Sequence, residues 1–130
     1  MNHSMEIKLY YEDTDCGGVV YYANYLRYME RARTEYMASH GAPVTELMER
    51  DILFVIGRVE IDYRSSAHYG ETLVVETWVT EMTGATLTFC HTMKEKATGR
   101  LIVESRAKAV CVGKNIKPKR IPKEDAEKLR

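Results

Sequence analysis

The sequence predicts an α+β fold in which one long helix is wrapped by an antiparallel sheet of about five strands. Three observations carry that prediction. Residues Tyr21 to His40 run without Gly or Pro and place apolar side chains at helical spacing. On either side of that stretch the apolar period is two, in one segment before it and in four after it. The composition, 45% hydrophobic and 29% charged over 130 positions, suits one globular domain, 1–130, with a core of its own.

Taken in order, Met5, Ile7, Leu9 and Tyr11 alternate with polar residues and predict the first strand. Asp13 to Gly18 holds turn chemistry. In the helix that follows, Tyr25, Tyr28, Met29, Ala32 and Tyr36 share one side, and Leu26 and Met37 widen the apolar arc to about half the circumference. Arg27, Arg31, Thr34 and Glu35 face away. Arg33 falls inside the arc, with Glu30 one turn earlier as its expected partner. An arc this wide fits a sheet curling around the helix and is too broad for a two-helix seam. Gly41 and Pro43 stop the helix, and a short second one is expected from Val44 to Arg50.

Four alternating segments remain. Val59, Ile61 and Tyr63 mark one face of the first, and Leu73, Val75, Thr77 and Val79 one face of the next. Leu87, Phe89, His91 and Met93, then Leu101, Val103, Ser105, Ala107 and Ala109, mark the others. The breaks at His68-Tyr69-Gly70, Thr83-Gly84 and Thr98-Gly99-Arg100 suit hairpins, which would make these four strands antiparallel.

Charge and hydropathy exclude several classes. Nineteen basic residues balance nineteen acidic ones, which argues against a nucleic-acid partner. No apolar run approaches the ~18 residues of a membrane span, and Met1-Asn2-His3-Ser4 lacks the layout of a signal peptide. Cys16, Cys90 and Cys111 lack metal-ligand spacing and fit a reducing compartment, so a cytoplasmic location without membrane insertion is expected. From Gly113 onward, Lys114, Lys117, Lys119, Arg120, Lys123, Lys128 and Arg130 face only Glu124, Asp125 and Glu127. That tail is read as a solvated charged end unless something binds it.

Familiar catalytic signatures are missing: there is no G-x-S-x-G elbow, P-loop, C-x-x-C pair, H-E-x-x-H or dinucleotide fingerprint. The informative stretch is Tyr10-Tyr11-Glu12-Asp13-Thr14-Asp15-Cys16-Gly17-Gly18-Val19-Val20-Tyr21-Tyr22-Ala23-Asn24-Tyr25. It sets three acids and a Gly-Gly pair at the opening of a long helix. Helix openings present unpaired N–H groups and partial positive charge, which can hold a developing oxyanion. A carboxylate beside them could attack a carbonyl or activate water. The plainer reading is that Asp13 and Asp15 only cap and turn the chain, and the residues alone leave both readings open.

The run from Asp13 to Leu26, continuing into Glu30-Arg31-Ala32-Arg33, resembles the hotdog-fold acyl-CoA thioesterases. Within them it is most similar to the 4-hydroxybenzoyl-CoA thioesterase family and its Tol-Pal-associated branch. The resemblance extends over nearly the whole chain, and D-x-D-x-x-G-x-V…N-Y is its most specific part. It implies a hotdog fold and hydrolysis of an acyl-CoA without metal or other cofactor, CoA entering as part of the substrate. Asp15 matches the family's catalytic carboxylate, nucleophile or general base. Tyr22 matches the position whose backbone N–H polarises the thioester carbonyl. Many relatives in that branch carry His where Tyr22 stands, so this chain offers only the backbone there.

The resemblance further implies edge-to-edge dimers, often paired into tetramers, with active sites at the subunit interface. Gly18, Val19 and Tyr25 would line the substrate, as would Arg64 and Ser66 on Tyr63-Arg64-Ser65-Ser66-Ala67. Lys114, Lys117, Lys119 and Arg120 would supply charge for the CoA phosphates. Some relatives carry a basic cluster in the loop matching Thr83-Gly84-Ala85, which is uncharged here. Cys16 has no sequence-local base, and His91 reads as a core or interface histidine. His3, His40 and His68 lack ligand spacing. A hotdog dehydratase would need a helix histidine, and none lies between His3 and His40. A non-catalytic acyl-carrier-binding or scaffold protein on the same fold is the non-enzymatic alternative.

Overall fold

Five strands build one antiparallel sheet in the order β1-β3-β4-β5-β2, in a computed structural model that describes residues 2–130; of the Met1-Asn2-His3-Ser4 stretch read above, Met1 lies outside the described residues. They are β1 (His3–Lys8), β2 (Leu53–Tyr63), β3 (Thr72–Met82), β4 (Thr86–Glu95) and β5 (Leu101–Val112). Three helices accompany them: α1 (Asn24–Ser39), α2 (Val44–Glu49) and α3 (Lys123–Leu129). This is the α+β arrangement expected, with α1 laid on one face of the sheet.

The apolar arc of α1 explains the packing. Tyr25, Tyr28, Met29 and Ala32 are buried against Ile7, Leu73, Val75, Met93, Val103 and Ala107. Farther along the helix, Tyr36 and Met37 pack with Leu47, Ile52, Leu87, Phe89 and Ala109. Each such large side chain taken fully from water contributes about 1.5–3 kcal/mol. His91 lies on this buried face, its Nδ1 3.0 Å from Thr77 Oγ1. Burial, helped by the charge of Arg33, pushes its pKa down to about 3.

Several expectations are corrected. The first strand ends at Lys8, and Tyr11 opens a single 3-10 turn, Tyr11–Asp13, with its ring in solvent. The helix begins at Asn24, so Tyr21 to Ala23 form the turn before it. Leu26 is exposed, because the sheet does not wrap that far around the helix. Arg33 makes no ion pair with Glu30; burial lowers its pKa and nearby Glu30 offsets only part of that.

The strand order also differs from a simple run of hairpins. β2 pairs with β5 at the far edge, so His68-Tyr69-Gly70 is no hairpin but part of a crossing segment, its Gly70 at φ +86°. β2 begins at Leu53, six residues before the alternation read from Val59. A bulge between Ile56 and Arg58 inserts one residue and flips the phase, so Phe54 and Ile56 share a face with Val59, Ile61 and Tyr63. The tail is docked, not solvated. Ile121 and Leu129 are buried, Tyr36 Oη donates to the Leu129 carbonyl at 2.9 Å, and Arg50 clasps the buried Asp125 at 2.8 Å.

Candidate active site

The segment between β1 and α1 divides its two aspartates between different tasks. Asp13 is fully engaged. Its Oδ2 accepts the Tyr10 N–H at 2.8 Å and its Oδ1 the Tyr28 hydroxyl at 2.7 Å. Its carbonyl accepts Asn24 Nδ2 at 2.8 Å and the Tyr21 N–H at 3.1 Å. These bonds fasten the segment to the first two turns of α1. Burial and the bond to Asp13 raise the Tyr28 pKa well above its ordinary value, so that hydroxyl stays protonated and donating.

Asp15 stands in the next turn with its carboxylate exposed. Its N–H donates to Val19 O at 2.9 Å and its carbonyl accepts the Gly18 N–H at 3.1 Å, closing a tight reversal bridged at Thr14 and Val20. Gly18 takes φ +76° there, a conformation that strains any residue with a Cβ. The carboxylate accepts only the Gly17 N–H of its own turn, at 2.9 Å, and among the described residues no cation or hydroxyl pairs with it. The reversal is held in place from outside. Val20 N–H donates to Ala67 O at 2.8 Å and Tyr69 N–H to Gly18 O at 3.1 Å, while Val19 bridges His68.

Tyr22 lies in the turn leading into α1. No side chain caps that helix, whose N-cap is Ala23, and the amide of Asn24 is spent on Asp13. Among the described residues, the Tyr22 and Ala23 N–H groups donate to nothing. They are therefore available to an oxygen arriving from outside. Tyr63, at the end of β2, donates its hydroxyl to Tyr22 O at 3.3 Å, and its ring lies 6.4 Å from that of Tyr22 and 5.7 Å from that of Tyr25. Tyr25 Oη accepts the Ala67 N–H at 3.3 Å. Burial raises the pKa of both Tyr25 and Tyr63, so neither offers a base near neutral pH.

Asp15, Gly18, Val19, Tyr22, Tyr25 and the segment bearing Arg64 and Ser66 thus meet at one end of the sheet. Arg64 Nη2 is 3.1 Å from Glu104 and 3.8 Å from Asp62, so its charge is already balanced within the chain. The Ser66 carbonyl accepts Arg100 Nη2 at 3.0 Å. Lys117 and Lys119 are not brought to this end. Lys119 Nζ donates to Asp51 O at 3.0 Å, just before β2, whereas Arg64 follows its last residue. The eleven residues of β2 put about 35 Å between them.

Sequence reasoning missed the tie from Asp13 to Tyr28, whose only trace is the spacing from the acid to a helix tyrosine. It also missed Tyr63 as the wall facing Tyr22, and a cavity of about 370 Å³ between α1, α2 and β2, lined by Glu30, Arg33, Met37, Leu47, Phe54 and Ile56 among others. From that cavity, Ile56, Val59 and Tyr63 continue along β2 as a partly exposed strip on the α1 side of the sheet, ending beside Tyr22. Among the described residues no group of three or more His, Cys, Asp or Glu could hold a metal ion, and no helix is long and apolar enough to cross a membrane.

Comparison with known proteins gives one consistent result. Residues 11–129 match the thioesterase-like superfamily. The acyl-CoA thioesterase YbgC of Haemophilus influenzae is 41% identical over 93% of this chain and 89% of its own length. The acyl-CoA thioester hydrolase YbgC of Escherichia coli O157:H7 is 36% identical over 90% of this chain and 87% of its own. The structure of 4-hydroxybenzoyl-CoA thioesterase from Pseudomonas sp. strain CBS-3 superimposes with a TM-score of 0.89 over 98% of both chains; at 22% identity that likeness speaks for the hotdog fold.

Proposed function

The chain belongs to the thioesterase-like superfamily, and from that premise we propose that it hydrolyses an acyl-CoA thioester to the free carboxylic acid and CoA. The observation that carries the mechanism is an unpaired carboxylate, Asp15, held in a rigid reversal at the mouth of a helix whose Tyr22 N–H is unused. The thioester oxygen lodges against the Tyr22 N–H, which stabilises the charge it gains as the carbonyl carbon is attacked. As nucleophile, Asp15 adds to that carbon and expels CoA as its thiolate, and water then cleaves the mixed anhydride. As general base, Asp15 takes a proton from the water that adds. Both routes consume one water and release the acid and protonated CoA.

The acyl group lies along Ile56, Val59 and Tyr63 toward the cavity beside Glu30 and Arg33, and Gly18, Val19 and Tyr25 border the thioester. A second copy closes the site. β2 is an edge strand of eleven residues with apolar side chains partly exposed, the kind of edge that pairs with another strand. Two-fold antiparallel pairing of β2 brings the partner's Lys117 and the partner's Lys119 toward Arg64 and Ser66, where CoA phosphates would need charge. Such dimers would pair further into tetramers. Residues 1–130 act as one hotdog domain, and the three free cysteines suit the cytoplasm.

The test is release of free thiol from a panel of short, branched and aromatic acyl-CoAs by the wild type and Asp15→Asn. The reading expects at least one ester to turn over, with a loss of roughly a hundredfold or more in the variant. Wild-type turnover by Asp15→Asn would overturn the mechanism, and no thiol release from any ester would overturn the activity.

A further inference from the structure

The cavity of about 370 Å³ between α1, α2 and β2 holds one group out of keeping with its walls. Met37, Leu47, Phe54, Ile56 and Phe89 make it largely apolar, yet Arg33 of α1 lines it too. We propose that Arg33 is the specificity-determining residue of the acyl site, selecting medium-length acyl groups that end in a carboxylate. This selection rests on the hydrolase reading above.

The guanidinium is short of acceptors. Arg33 is half-buried, and among the described residues it has no carboxylate within 4 Å and donates no hydrogen bond. Arg50, Arg58, Arg64, Arg100 and Arg106, by contrast, each have a carboxylate within that distance. Burial lowers the Arg33 pKa; burial and then the charge of Arg33 lower that of His91, so the cation stands close to the core. A planar cation rich in N–H donors, partly stripped of water and unpaired, is costly to keep. An acceptor arriving from outside offsets that cost, and a carboxylate does so best, through paired N–H···O bonds.

Glu30 lines the same cavity from one turn earlier and does not take that part. It is exposed, and its charge offsets only a fraction of the burial cost of Arg33. Through water its repulsion of an incoming acid is weak, whereas the attraction of Arg33 acts where water is largely excluded. A methyl end would fill the space and leave the cation unpaired.

Position sets the length of the chain. Ile56 joins the cavity to the strip that ends at Tyr63, beside Tyr22. From Asn24, at the helix opening, to Arg33 the helix rises about 14 Å, and a side chain leaning back toward that opening shortens the gap. A short diacid held at Asp15 by its thioester would stop before the guanidinium, whereas a suberyl chain spans the distance.

Thiol release from suberyl-CoA and octanoyl-CoA, equal in length and different only at the far end, tests this in the wild type, Arg33→Met and Arg33→Lys. The wild type should favour suberyl-CoA roughly tenfold or more in kcat/KM, mainly through KM. Arg33→Met should lose that preference and Arg33→Lys keep part of it, because a point charge attracts without the paired bonds. Succinyl-CoA should show no such preference over butyryl-CoA. No preference within the long pair, a preference that survives in Arg33→Met, or the same preference within the short pair would overturn the proposal. So would a loss on all esters alike with a lowered Tm or a changed oligomer in sedimentation, which would make Arg33 a structural contact. Calorimetric titration with monomethyl suberate reads the same subsite without turnover, and binding should weaken roughly tenfold or more in Arg33→Met. That result with no hydrolysis of any ester would leave the subsite standing and overturn the hydrolase reading instead.

Discussion

Asp13 and Asp15 are two residues apart in one short segment, yet their surroundings have little in common. Asp13 spends both carboxylate oxygens and its carbonyl on Tyr10, Tyr28, Asn24 and Tyr21. Asp15 spends one oxygen on a single amide of its own turn and faces solvent with the rest. The first acid is architecture; the second is held still by architecture and left with unused acceptor capacity. The hydrolase reading of Asp15 asks for both a fixed position and a free lone pair, with the fixing left to the bonds of Asp13 and to Ala67 and Tyr69.

Substitutions can break this contrast in order of size. Asp15→Asn should lower kcat by roughly a hundredfold to ten-thousandfold, with an unchanged Tm by calorimetry. Asp13→Ala should do the reverse in kind. It orphans the buried Tyr28 hydroxyl and the Tyr10 N–H, costing about 1–3 kcal/mol of stability, which denaturant unfolding would read. Activity in folded Asp13→Ala should fall less than in Asp15→Asn, because the Asp15 reversal keeps its bonds to the segment at Ala67 and Tyr69.

His91 extends the comparison to a second polar group used by the core. Its folded pKa of about 3 lies below its unfolded value, so the unfolded chain takes up a proton first as pH falls. The stability it preserves is complete above about pH 6.5 and is lost progressively between there and about pH 3. Replacing His91 by Leu should flatten the decline in Tm between pH 6.5 and 5. A slope equal to that of the wild type would mean that His91 is protonated in the fold. Tyr28→Phe should have the smallest effect, about 1 kcal/mol or less, since half-exposed Asp13 regains a water where it loses a hydroxyl.

Much of the architecture was legible because it is periodic. The arc through Tyr25, Tyr28, Met29, Ala32 and Tyr36 is buried as its spacing demands, and the predicted faces hold from Leu73 to Val79, Leu87 to Met93 and Val103 to Ala109, whereas a bulge before Val103 takes Leu101 off its predicted face. What was not legible depends on partners distant in the chain. β2 lost its first half because the bulge at Gly57 interrupts the period, and its place beside β5 follows from no local signal. Tyr21 to Ala23 have helical composition, yet the Tyr21 N–H is drawn to Asp13 O, which holds the chain in a turn until Asn24. The site was legible only where it is local. Asp15, Gly18 and Tyr22 sit together because they are joined by one reversal, whereas the lysines of the tail were placed by β2, whose length carries them to the opposite end.

The most direct check on this division of labour is a paired measurement on Asp15→Asn, thiol release from a hydrolysed acyl-CoA beside the midpoint of thermal unfolding. The account expects turnover to collapse while the midpoint stays within about 1 °C of the wild type. Retained turnover, or a loss of turnover matched by a fall in the midpoint, would show that Asp15 serves the fold as Asp13 does.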